Sequence, residues 1–287
     1  MKIFDEWANL QRLFAGHPLT CDQPLRAWLR FAAWQLRSRV QGEVRFDWLG
    51  GQRLAVHRGM TGATGNIYVG LHEFFDMIVP LHFLRRDDLF LDVGANVGTY
   101  TVLAAGVRGA NTLAFEPDPN TLQHLKRNIG INRLEDRVQV YECALGGVHG
   151  GAAFTVGLDT VNRIATAGDG KTRTVRMERL DDIVSDGTPA MMKIDVEGAE
   201  LGVLSGAEKV LAKPSLRVIE IETVVPESAA ILARHGFEQA CYDPFHRALS
   251  KHAGIRRSSN SLFVRYWAFV ADRLQTAEAV QILGRSI

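Results

Sequence analysis

From residue 89 onward, short apolar runs alternate with stretches whose apolar residues recur at helical spacing. Residues 89–92, 111–116, 138–145, 191–196, 216–222, 237–242 and 261–267 read as strands. Residues 99–107, 120–129, 177–184 and 200–211, a stretch ending at Arg234 and the tail to residue 287 read as helices, with Val270, Leu274, Ala277 and Ile282 roughly on one face of the tail. Such alternation predicts an α/β fold, a doubly wound and mostly parallel sheet with helices on both faces. Residues 146–176, rich in Gly and Thr, fit a glycine turn and an extended excursion better than a long helix.

Residues 1–85 differ. Residues 24–40 open with Pro24 and set Leu25, Trp28, Leu29, Ala32 and Leu36 at helical spacing, with Arg26, Arg30, Arg37 and Arg39 mostly off that stripe. Two readings follow: a helix packed by this stripe on the main domain, or a basic, aromatic helix resting on a membrane surface or a partner subunit. Residues 44–57 read as a hairpin across Gly50 and Gly51, and glycines 59, 62 and 65 suggest a flexible loop. That loop lacks the Lys-Ser/Thr of a P-loop. A helix over residues 71–84 leads to the polar break Arg85–Arg86–Asp87–Asp88. The expected organisation is an N-terminal helical and hairpin extension, residues 1–85, packed on a core domain of residues 86–287.

Composition narrows the picture little. With 33 basic and 32 acidic side chains in 287 residues, no global field recruits nucleic acid. Cys21, Cys143 and Cys241 show no CxxC spacing, which fits a reducing compartment rather than a disulfide framework or zinc site. The first residues carry Asp5 and Glu6 and no apolar leader core, and no apolar run approaches the ~20 residues that span a bilayer. A cytoplasmic protein is expected, with homodimerisation left open.

The chemistry concentrates in two places. In LFLDVGANVGTY, residues 89–100, an apolar strand ends at Asp92 and turns through Gly94, Asn96 and Gly98 into a helix, the arrangement by which α/β proteins hold nucleotide-like ligands. Glu116, 24 residues on, ends the next strand, where an acid accepts hydrogen bonds from ribose hydroxyls. Asn96 and Thr99 stand where a dinucleotide fingerprint needs glycine, so a ligand with ribose but no pyrophosphate fits: S-adenosylmethionine, with Asp92 beside its ammonium. The second place is KIDVEGAE, residues 193–200. Lys193 and Asp195 break an otherwise apolar strand on one face and need pairing or a ligand. Asp195 and Glu197 should look into the cleft beyond the strand ends. Asp195 is the first candidate for general base and Lys193 its electrostatic partner. These acids name too few ligands for Mg²⁺, and no metal is assigned. His246 is a second candidate base. Arg247, Tyr68, His72 and Asn260 are candidates for the acceptor side, and His17, His57, His82, His124, His149, His235 and His252 show no metal-ligand spacing.

The runs DVGANVGTY, FEPDPNTLQHLKRN, RLDD, KIDVEGAE and NSLFV resemble the FkbM family of S-adenosylmethionine-dependent methyltransferases, over roughly residues 54–267. The resemblance implies a seven-stranded Rossmann-like sheet and methylation of a hydroxyl oxygen on a polyketide or sugar. It places Asp92, Gly94, Asn96, Gly98 and Glu116 at the cofactor, Asp195 and Glu197 at the cleft, and Cys143 and Ala144 beside the adenine. The expected function is an S-adenosylmethionine-dependent O-methyltransferase acting on a sugar, glycan or natural product. Methylation of nitrogen or a carboxylate, or a non-catalytic binding module, are the alternatives; a nicotinamide enzyme is disfavoured by the GxNxG turn.

Overall fold

The computed structural model describes residues 2–156, 163–165, 170–251 and 258–287. His252 and parts of the 146–176 excursion therefore lie outside the described residues.

The N-terminal region comprises α1 (Lys2–Gly16), α2 (Pro24–Gln41), an antiparallel hairpin of β1 (Val44–Asp47) and β2 (Arg53–Val56), α3 (Thr61–Val69) and α4 (Phe74–Phe83). Two expectations fail here. The glycine-rich loop is instead the helix α3: Gly65 stays inside it because a Cβ there would lie 2.2 Å from His72 Nδ1, so its smallness serves packing. On α2 the packed residues are Ala27, Trp34 and Ser38, while Leu25, Leu29 and Leu36 of the expected core stripe are 63–70% exposed. Phe14, Ala27 and Trp34 share one apolar cluster with Val97, Leu122 and Leu125, so this region is built into the core.

The main sheet contains β3 (Leu89–Val93), β4 (Asn111–Phe115), β5 (Val138–Tyr141), β9 (Pro189–Ile194), β10 (Val218–Ile221), β11 (Glu238–Asp243), β12 (Ala248–Ser250) and β13 (Ser261–Val264). Their order is β12-β11-β13-β10-β9-β3-β4-β5. Neighbours from β10 to β5 run parallel, and β13 enters antiparallel between β10 and β11. The seven expected strands are present, and β12 adds an eighth, short edge strand. Strands β3, β9 and β10 lie at the centre, buried on both faces, which is why their sequences are apolar runs.

Several boundaries move. The expected strand over residues 138–145 ends at Tyr141; β6 (Ala144–Leu145) pairs instead with β8 (Thr172–Glu178), and β8 with β7 (Gly150–Thr155), in a separate three-stranded sheet. The helix expected over 177–184 shrinks to α7 (Leu180–Ile183) because β8 claims Met177 and Glu178. The helix expected over 200–211 breaks into α8 (Glu200–Ser205) and α9 (Glu208–Ala212) at Gly206, where a Cβ would lie 2.0 Å from the Gly146 carbonyl oxygen. The strand expected over 261–267 stops at Val264, and Trp267 instead opens α11 (Trp267–Gln275). Beyond α11 the tail is a small hairpin, β14 (Gln281–Ile282) with β15 (Arg285–Ser286), although Val270, Leu274, Ala277 and Ile282 are all buried as their pattern requires.

Candidate active site

The carboxyl ends of β3 and β4 build the first wall. Gly94 and Ala95 donate backbone N–H bonds to the Phe115 carbonyl at 3.1 and 2.9 Å, which folds the chain after β3 over the end of β4. Gly94 (φ +80°) admits no side chain, since its Cβ would lie 1.9 Å from the Asp195 carbonyl oxygen. Asn96 follows with φ +53° and donates its N–H to Glu116 Oε2 at 3.0 Å; Asp118 donates its N–H to Glu116 Oε1 at 2.8 Å. The two amides aim the carboxylate, and each oxygen keeps a second lone pair for another donor. Burial pushes the Glu116 carboxyl up to about 7, so a pair of ligand hydroxyls would favour its ionised form.

The second wall stands on β9 and β10. Asp92, Lys193 and Glu220 are cross-strand neighbours in register on β3, β9 and β10. Lys193, 2% exposed, places Nζ 2.6 Å from Asp195 Oδ2 and 4.4 Å from the centre of the Tyr100 ring. Burial opposes the Lys193 charge, but Asp195 and Asp92 raise its pKa above the usual lysine range. Burial likewise opposes ionisation of Asp195, and the Lys193 ammonium with hydrogen bonds from Lys193 and Glu222 holds it below the usual carboxylate range. Burial and the Asp195 charge push Glu222 up to about 8. The Lys193 ammonium beside Asp195 thus favours the proton on Glu222 over Asp195. Carboxylate oxygens of Asp195, Glu197 and Glu222 lie within 4.8 Å of one another.

Between the walls lies a cavity of about 290 Å³, lined by Gly94, Asn96, Glu116, Cys143, Ala144, Asp195, Glu197 and Glu222 among others. Phe115, Phe154 and Ile164 give it an apolar side. A smaller extension of about 100 Å³ runs under the turn past His72, Glu73, Tyr100 and Lys193. Acceptors for a diol, an apolar slot beside Cys143 and Ala144, and a carboxylate pair at the far end fit a nucleoside ligand with a reactive tail.

The residues singled out from sequence divide. Gly94, Asn96, Glu116, Cys143, Ala144, Asp195 and Glu197 meet in the main cavity, and Lys193 and His72 line its extension. Gly98 (φ +89°) starts the helix after the turn; a Cβ there would lie 2.6 Å from Leu125 Cδ1, so its role is close packing against α6 (Pro119–Ile131). Asp92 is corrected from ligand contact to support. It is fully buried, lines neither cavity, and accepts a 2.6 Å bond from Thr101 Oγ1, while its Oδ1 has no hydrogen-bond partner among the described residues. A strand residue whose side chain enters the sheet face cannot reach past the turn that follows it.

Three acceptor-side candidates and the second candidate base, His246, lie outside the main cavity and its extension. Tyr68 lines a groove with Phe31 and Trp34 beneath α2. Arg247 (φ +51°) bonds the Ala277 carbonyl and ties the β11–β12 turn to the C-terminal segment. His246 has an 81% exposed side chain bonded to Asp243 at 2.7 Å. It lines a second cavity of about 490 Å³ together with Asn260, Asp76, Glu220 and Tyr242. Asn260 donates its backbone N–H to Asp76 Oδ1 at 3.1 Å.

Glu73, Asp76, Glu220 and Glu222 were not anticipated. Tyr100 donates its hydroxyl to Glu73 Oε2 at 3.0 Å at the mouth of the extension. For Glu220 and Glu222 the signal was present: acids alternating within an apolar strand, the same pattern that exposed Lys193 and Asp195.

Comparisons with known proteins identify the family. The model of the FkbM methyltransferase domain matches residues 92–248, more than half of the chain. The chain is 27% identical over 209 residues to the hexuronic acid methyltransferase AglP of Haloferax volcanii, covering 70% of this chain and 82% of that one. It is 29% identical over 194 residues to the 31-O-demethyl-FK506 methyltransferase FkbM of Streptomyces tacrolimicus, covering 54% of this chain and 74% of that one. Among solved structures, precorrin-6y C5,15-methyltransferase of Geobacter metallireducens aligns at 16% identity and a TM-score of 0.36, covering 66% of this chain and 83% of that one. Because the family model spans more than half of the chain and includes Glu116, Asp195 and Glu197, this chain belongs to the FkbM methyltransferase family and is a methyltransferase.

Proposed function

We propose that this enzyme transfers a methyl group from S-adenosylmethionine to a hydroxyl oxygen of a sugar, glycan or natural-product acceptor. The observation that carries the reading is the cavity with Glu116 on one wall and Asp195 and Glu222 on the other, with Lys193 behind Asp195 at 2.6 Å. Glu116 would take the ribose hydroxyls, the Gly94–Asn96 turn would run along the amino-acid portion, and Cys143 and Ala144 would border the adenine. The relatives' names support the acceptor class, one a hexuronic acid methyltransferase and one acting at an oxygen of FK506. We read residues 86–287 as the catalytic domain and residues 1–85 as an addition sharing its core.

When bound, S-adenosylmethionine supplies a methyl group already activated by its sulfonium, so the protein must orient the hydroxyl and remove its proton. Asp195, held ionised by Lys193, accepts the hydrogen bond that orients the hydroxyl. Lys193 shields the charge that builds on the acceptor oxygen. The Asp195–Glu222 pair shares one proton and titrates as a unit. Once Glu222 has lost that proton, Asp195 loses a donor and becomes the stronger base. Glu220, two residues and about 7 Å of strand rise before Glu222, lines the second cavity, which would offer Glu220 and Asp76 to the remainder of an acceptor.

The test is a panel of sugars, glycans and hydroxylated natural products with methyl-labelled S-adenosylmethionine, alongside titration with S-adenosylmethionine and NAD. Label on an acceptor oxygen is expected. Transfer only to nitrogen or carboxylate, or tight NAD binding without S-adenosylmethionine binding, would overturn the proposal.

A further inference from the structure

The second helix carries an apolar face turned away from the protein. Leu25, Leu29, Leu36 and Val40 recur at helical spacing along α2 and are 63–79% exposed, whereas Ala27, Trp34 and Ser38 on the opposite side are buried. The 18-residue helix, about 27 Å long, thus shows its leucines outward along its whole length. Arg26 and Arg37 flank the stripe on one side and Arg39 on the other, and α2 contains no acid. Arg37 and Arg39 hydrogen-bond neutral backbone carbonyls, those of Arg45 and Gln35, and keep their charge for an outside partner. Beside the stripe Trp7, 54% exposed, stacks on Trp28 at 5.0 Å. These rings, with Leu10, Phe31, Leu36 and Arg39, line an open groove of about 610 Å³.

We propose that α2 docks this enzyme on an anionic membrane surface, the leucine stripe entering the headgroup boundary and the arginines meeting lipid phosphates. Exposed leucines on a soluble face cost solvation, which burial in a bilayer interface recovers. The flanking positive charge selects an anionic surface. It also opposes the obvious competitor, a second copy of this chain, because pairing two stripes would bring both sets of arginines together without a carboxylate on either helix. A spanning role is excluded by length and polarity: no helix among the described residues is long and apolar enough to cross a membrane.

The experiment is co-sedimentation of the full chain with vesicles of phosphatidylcholine alone and of phosphatidylcholine mixed with phosphatidylglycerol, with sedimentation velocity in parallel. Binding to the mixed vesicles only, weakened by added salt, is expected. The triple variant Leu25→Gln, Leu29→Gln, Leu36→Gln should lose at least about tenfold in vesicle affinity while keeping its thermal midpoint, since these side chains touch little of the fold. Failure to bind anionic vesicles, or unchanged binding by the triple variant, overturns the proposal. A concentration-dependent dimer that the triple variant abolishes, without vesicle binding, assigns the stripe to self-association and overturns it as well.

Discussion

Replacing Lys193 by Met keeps a flexible side chain of similar length and removes the only cation in the acidic row Asp92–Lys193–Glu220. The Lys193 ammonium lies 2.6 Å from Asp195 Oδ2 at 2% exposure. At an effective dielectric constant of about 20, opposite charges at that spacing attract by about 6 kcal/mol. Desolvation offsets part of this, and removing one partner of a buried pair costs about 3–5 kcal/mol in general. The loss should depend on pH. In the variant, Asp195 and Asp92 lose the charge that favours their ionised forms, so the folded variant binds protons more tightly than the folded parent. Stability of the variant relative to the parent therefore falls as pH rises through the raised carboxyl values and recovers as pH drops. Urea unfolding at pH 5.5 and pH 8 measures it, with a deficit of about 3–5 kcal/mol expected at the higher pH and a clearly smaller one at the lower. A deficit of the same size at both would mean that Lys193 acts through packing against Tyr100, and the electrostatic account would be wrong.

Other consequences are equally direct. Glu116→Ala removes two charged acceptors and should weaken S-adenosylmethionine binding by about ten- to a hundredfold, read by calorimetry; unchanged affinity removes the ribose role. With Glu222 pushed up to about 8 by burial and the Asp195 charge, kcat/KM should rise as pH increases through that value and level off above it. Glu222→Gln should abolish the rise, and a persistent rise would place the titrating group elsewhere. Gly94→Ala sets a Cβ 1.9 Å from the Asp195 carbonyl oxygen at φ +80° and should lower both the thermal midpoint and cofactor affinity; a variant equal to the parent in both would show that the two strand ends separate freely.

What could be read without coordinates follows from physics that acts locally. Strands buried on both faces must be apolar, so the alternation of runs and amphipathic stretches specified the parallel sheet. A turn that brings backbone against a ligand needs small or left-handed residues, so Gly94 and Asn96 were visible. Charges inside an apolar strand demand a partner, which marked Lys193 and Asp195, and the same rule applied to LRVIEIE would have marked Glu220 and Glu222.

Tertiary structure decided the rest, because direction and company are not local properties. Helical spacing on α2 specifies an apolar stripe but not which way it faces; the fold buries Ala27 and Trp34 and leaves the leucines outside. Gly65 is required within α3 because His72 fills the space where a side chain would stand. His246 and Asp195, both bases by residue type, end in different cavities because β11 lies three strands from β9, with β13 and β10 between them. Asp92 sits beneath the Gly94–Gly98 turn rather than within it, since its strand position turns the side chain into the core. Ionisation was the last quantity to emerge: whether Asp195 or Glu222 holds the proton depends on an ammonium buried on the neighbouring side of the same sheet end.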